Sequence, residues 1–129
     1  MGTYPFVNFK MTPTLNIGST PTLIFGNDLY TCLIDSVFIS NVTDNLMLVT
    51  VYIAREQTIG TETDFIFSNQ IALPPSERID VLQGSTLTVE AADLLYAYSD
   101  SSSNLFNTFV SYRELTELTA SFGSQKKYI

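Results

Sequence analysis

The chain has 129 residues with 13 acidic side chains, 6 basic ones and no histidine. Hydrophobic residues make up 45% and charged residues 15%, at a mean hydropathy of +0.17. This length makes one domain with a substantial core, while a net charge of −7 argues against direct nucleic-acid binding and against anionic membrane surfaces. A charged fraction below the usual quarter of residues predicts that other subunits cover part of the surface, as in a homo-oligomer, with a sticky monomer as the alternative. No run of about 20 apolar residues is present to span a membrane, and the opening Met1-Gly2-Thr3-Tyr4-Pro5 lacks the basic and apolar regions of a secretory signal.

Residues 1–21 are rich in Thr, Pro, Asn and Gly and read as an extended N-terminal arm, with Pro5, Pro13 and Pro21 confining any strand there to short or edge positions. A first strand is expected at about 22–25. A long strand over 29–42, a turn at 43–45 and a partner strand over 46–54 then read as a hairpin. Along that partner, Met47, Val49, Val51 and Ile53 alternate with Leu48, Thr50 and Tyr52, the period-two pattern of a sheet packed on one face. Residues 55–64 are polar and unpatterned and read as an exposed loop. Phe65, Phe67, Ile71 and Leu73 mark the next strand, with Asn69 breaking the pattern. Short strands follow around Ile79, Leu87 and Leu94, punctuated by Pro74-Pro75-Ser76-Glu77, Gln83-Gly84-Ser85 and Ala91-Ala92-Asp93. After the polar loop 99–104, residues 105–118 close the sheet. No segment keeps a helical apolar period for ten residues. The fold class expected is all-β, an antiparallel two-sheet β-sandwich of jelly-roll or Ig-like type, over 22–118, with a C-terminal tail at 119–129.

Candidates for chemistry are few. Without histidine the commonest general base and zinc ligand are missing. Cys32, the single cysteine, lies in an apolar strand and reads as an inert buried thiol. Glu62 with Asp64, and Glu90 with Asp93, are the carboxylate pairs that a hydrolase would need, and Asp100 to Asn104 or Glu62 to Asp64 offers oxygen ligands for calcium. The chain has no tryptophan platform and little room for a long cleft, and the calcium candidates read better as solvated turns, so neither catalysis, metal nor cofactor is expected. Tyr96, Tyr98 and Tyr112 are candidates for an aromatic contact surface or a sugar site.

The run over 69–95, through the proline turn, Ile79-Asp80-Val81-Leu82, the Gly84 turn and Leu87-Thr88-Val89-Glu90, resembles the small β-sandwich virion structural proteins of tailed bacteriophages. Ile34-Asp35-Ser36-Val37-Phe38-Ile39-Ser40-Asn41 and Val110-Ser111-Tyr112-Arg113-Glu114-Leu115 match that family's early and last strands, so the likeness covers about 30–115. Ala92 stands where the family often has glycine; if that turn needs positive φ, alanine costs about 1 kcal/mol. The resemblance implies a non-enzymatic capsid decoration (cement) protein, assembled in a bacterial host cytoplasm, whose partners are its own copies and a major capsid protein or neck and tail proteins. A neck or tail accessory protein, or a carbohydrate- or receptor-binding tail module, is the alternative. The extended ends lie outside the likeness, and Phe6, Phe9, Leu15, Phe122, Tyr128 and Ile129 are the subunit-interface residues expected.

Overall fold

The computed structural model describes residues 8–58 and 60–115. Nine strands run in order: β1 (Asn8–Ile17), β2 (Thr22–Gly26), β3 (Cys32–Asn41), β4 (Met47–Thr58), β5 (Thr61–Leu73), β6 (Arg78–Asp80), β7 (Leu87–Val89), β8 (Leu94–Ser99) and β9 (Phe106–Glu114). They form two antiparallel sheets: sheet A, ordered β1-β9-β3-β6 with β7 also on β3, and sheet B, ordered β2-β8-β4-β5. The all-β sandwich is as the sequence predicts, and the pairing identifies it as a jelly roll. One long antiparallel ribbon has the β4–β5 hairpin at its tip, then pairs β3 with β6 and β7, β2 with β8, and β1 with β9. Rolling that ribbon adds the β3–β9 and β4–β8 contacts and closes two Greek keys.

Three expectations are corrected by this topology. β3 and β4 do not form a hairpin: they lie in different sheets, and residues 42–46 arch between them. Asn41, 3% exposed, holds the arch. Its Nδ2 donates to Asn45 O at 2.7 Å and Leu73 O at 2.9 Å, and its Oδ1 accepts from Thr43 N and Thr43 Oγ1, both at 2.8 Å. The N-terminal arm assigned to 1–21 is a strand from Asn8 to Ile17, paired along β9 from Glu114 to Phe106. Pro13 is tolerated because β1 is an edge strand and needs no amide donor on its free side. Residues 55–64 are not a loop but the end of the β4–β5 hairpin. Thr58 is opposite Thr61, and Gly60 at φ 83° supplies the left-handed backbone that a two-residue connection requires.

The core lies between the sheets. The predicted apolar face of β4 is there, with Met47, Val49 and Val51 fully buried, against Ile34, Val37 and Ile39 of β3 and Phe106 and Val110 of β9. Turn chemistry sets the shorter strands. Glu77 N donates to Pro74 O at 3.2 Å, with Pro75 pre-set and Ser76 at φ 60°, the pattern of a type II turn. Gln83 and Gly84, both at positive φ, make the primed turn closed by Ser85 N to Leu82 O. Asp80 accepts from Val37 N, Leu82 N and Gly84 N, which pins this turn to β3.

Candidate functional site

Three surfaces bring chemistry-bearing residues together. On the outer face of sheet B, register aligns one residue from each strand: Leu23 is opposite Tyr96, Tyr96 opposite Tyr52, and Tyr52 opposite Ile66. The result is an apolar row across the whole sheet, with Leu23 47% and Ile66 55% exposed at its ends. Tyr52 and Tyr96 stack at 5.4 Å between centroids with 18° between planes, and Tyr98 meets Tyr52 edge-on at 6.2 Å. Burial pushes the Tyr52 phenol above its ordinary range, helped by Asp64, Tyr96, Tyr98 and Glu62, so it stays a neutral hydrogen-bonding group. The stacked pair turns one ring face of each toward the other. Tyr112 is not part of this cluster. It points between the sheets, edge-on to Phe25 at 4.6 Å.

The outer face of sheet A carries a second apolar surface. Met11, Phe38, Arg78, Phe109 and Ser111 line a depression of about 270 Å³. Met11 is 60% exposed, and the Arg78 guanidinium lies 4.9 Å over the Phe38 ring, a cation–π contact that keeps a charge on an otherwise greasy rim. Beside it Arg113 binds Asp35 in a two-point pair, Nε to Oδ2 at 3.0 Å and Nη2 to Oδ1 at 2.7 Å.

The third lies at the end of the sandwich where the β4–β5 hairpin projects. A cleft of about 500 Å³ is lined by Arg55, Glu56, Gly60, Glu62, Glu90, Ala91, Ala92 and Asp93. Arg55 grips Asp93 from Nε at 2.9 Å and Nη2 at 2.6 Å, and that bond holds the guanidinium pKa up. Asp93, nearly buried, also accepts from Glu90 N at 2.9 Å. Both of its oxygens are thus engaged in holding the β7–β8 turn, and Glu56 accepts from Gly60 N at 2.6 Å. In the polar loop 99–104, Asp100 Oδ1 accepts from Asn104 Nδ2 at 3.0 Å and Leu48 N at 3.3 Å. The Asn104 bond leads in lowering its pKa, against an opposing desolvation. Among the described residues no three His, Cys, Asp or Glu side chains group as metal ligands. Cys32 is buried, and desolvation and then Glu114 raise its thiol pKa.

Of the interface residues expected from the sequence, Leu15 is 59% exposed on the edge strand β1. Phe9 falls on the same strand, in register with Arg113. Phe6, Phe122, Tyr128 and Ile129 lie outside the described residues. The sequence reading missed Leu23, Tyr52, Ile66, Phe38 and Phe109 as surface contacts. Tyr52 was legible as the odd member of an alternating strand, but the row that it joins exists only once four strands are in register. Compared with protein families, curated proteins and solved structures, the chain finds no match.

Proposed function

We propose that this protein is a non-enzymatic bacteriophage virion structural protein, a capsid decoration or cement protein that stabilises the particle through contacts between subunits. One observation carries the reading. A jelly roll whose interior is filled by its own side chains presents apolar surface on both outer faces, the Leu23–Tyr96–Tyr52–Ile66 row on one and the Met11–Phe38–Phe109 depression on the other. A contact surface on each side suits a block that lies between neighbours, since aromatic and Met side chains are enriched where proteins meet. The fold itself is shared by capsid, lectin and cupin domains and does not choose among them; the apolar outer faces are what supports the assembly reading.

Antibodies raised against the purified protein test this reading by immunogold electron microscopy of lysates from the producing cells. Gold is expected on intact particles at regular spacing. Gold confined to the particle-free fraction would overturn the assignment.

A further inference from the structure

Among the described residues, one edge of β5 carries no neighbouring strand. β5 pairs with β4 on one side and is the last strand of sheet B. Over 61–66 it carries Glu62, Asp64 and Ile66 on the outer face, because Asp64 is opposite Ala54 and Ile66 opposite Tyr52, while Phe65 faces the other way opposite Ile53. Phe65 is 41% and Ile66 55% exposed. Adjacent apolar residues exposed on opposite faces of one edge strand are covered together only by an object lying along the edge. β5 contains no Lys or Pro, and its charges are the carboxylates Glu62 and Asp64, which guard the edge against an acidic strand but not against a basic one. Irregular pairing between Val49 and Tyr52, with Gln70 at φ 51°, breaks the regular edge beyond Ile66. The receptive stretch is therefore short. Pairing two such stretches with each other would gather the Glu62 and Asp64 carboxylates of both copies, so β5 is not its own partner.

Charge names the partner. All but one of the thirteen acidic residues lie among the described residues, against four of the six basic ones. Those four are engaged at home: Arg55 with Asp93, Arg113 with Asp35, Lys10 with Glu114 at 3.3 Å, and Arg78 over Phe38. Two copies of so acidic a domain repel, and the cations that the sequence holds outside the described residues are Lys126 and Lys127. We infer that residues 125–129 of one copy add in parallel to the β5 edge of the next copy. In that register Lys127 sits beside Asp64 and Ile129 beside Ile66 on the outer face, with Tyr128 beside Phe65 on the other. Ladder hydrogen bonds supply affinity and the alternating side chains supply register. The contact is heterologous, so it propagates from copy to copy and closes into a ring where the rotation allows. The inference deepens the assembly reading above and assigns Tyr128 and Ile129 their receptor.

The test uses the full-length chain at several concentrations, with light scattering and hydrogen exchange of only those 61–66 amides that do not bond β4 read in parallel. Protection of these amides is expected to rise with concentration. Lys127→Glu is expected to weaken association about tenfold, as is Asp64→Lys, and the double variant should restore it to within about threefold. Circular dichroism checks that each variant is folded. Protection independent of concentration would mean that the chain's own tail fills the edge, and would overturn the inference. Unprotected amides, or charge swaps without effect and without rescue, would overturn it as well. Particles labelled by antibody while the β5 amides stay unprotected would defeat this inference alone. Concentration-dependent protection without particle labelling would defeat the virion reading alone.

Discussion

Replacing Asn41 tests the arch that carries the chain from one sheet to the other. The side chain is buried and makes four hydrogen bonds, two donated to carbonyls and two accepted from Thr43. At about 1 kcal/mol net for each bond, with partners left unpaired in a buried place, Asn41→Ala should destabilise the fold by about 4 kcal/mol. That is a large part of the roughly 5–15 kcal/mol that holds a domain of this kind together. In urea, at a slope of about 2 kcal/mol/M, the midpoint should fall by about 2 M. Asn41→Asp is the sharper variant. It keeps both acceptors but sets a carboxylate oxygen 2.7 Å from Asn45 O or 2.9 Å from Leu73 O, so the folded state raises the pKa of the introduced carboxyl. A raised folded pKa means stability that is fully present below the unfolded value of about 3.9 and lost as pH rises through the folded one. The variant should therefore be closest to wild type near pH 4 and weaken toward neutrality, whereas Asn41→Ala should stay at a constant distance from wild type. A loss under about 1 kcal/mol for Asn41→Ala, as at an exposed turn, would refute the account, and so would a pH-independent deficit in Asn41→Asp.

Three further outcomes follow from single positions. Ala92 holds φ 73° while its amide donates to Asn27 O at 2.7 Å, so Ala92→Gly should raise stability by about 1 kcal/mol in chemical denaturation. Thr108 Oγ1 is buried and finds no hydrogen-bond partner among the described residues, so Thr108→Val should raise the melting temperature, by an amount matching about 1 kcal/mol. The Asp100 pKa is lowered in the fold, so its contribution to stability is present above the unfolded value and lost as pH falls through the folded one. Denaturation curves of wild type and Asp100→Asn should accordingly differ at neutral pH and converge in acid below about pH 4.

Much of the fold is legible in the residues. Met47, Val49, Val51 and Ile53 announce a one-sided strand because a core lies beneath all four. Pro75 and Gly84 announce turns through their own backbone geometry. An alanine at position 92 suggests a turn that avoids positive φ, yet Ala92 sits at φ 73°. The hairpin end reads as a loop because Thr61, Glu62 and Asp64 are exposed. With no core residue among them, no alternation is required, and a strand looks like a loop. The β3–β4 arch was misread because Asn41, Thr43 and Asn45 are turn-forming types in either geometry. Only the buried amide of Asn41, bonded to Leu73 far along the chain, makes the difference. The candidate contact surfaces were hardest to see. A row such as Leu23, Tyr96, Tyr52 and Ile66 draws on residues scattered along the chain, and sheet register alone makes them neighbours.

The nested pairing of the ribbon also dictates how the protein comes into being. Asn8 meets Glu114 and Ile17 meets Phe106, so β1 waits for almost the whole described chain to be synthesised before it finds its neighbour. Only the β4–β5 hairpin closes locally, which makes it the natural seed, with the remaining pairs zipping outward from it toward the ends. Such non-local closure is slow and leaves strand edges bare meanwhile. Translation would therefore pass through a vulnerable interval, and a lower concentration of nascent chains should yield more intact protein.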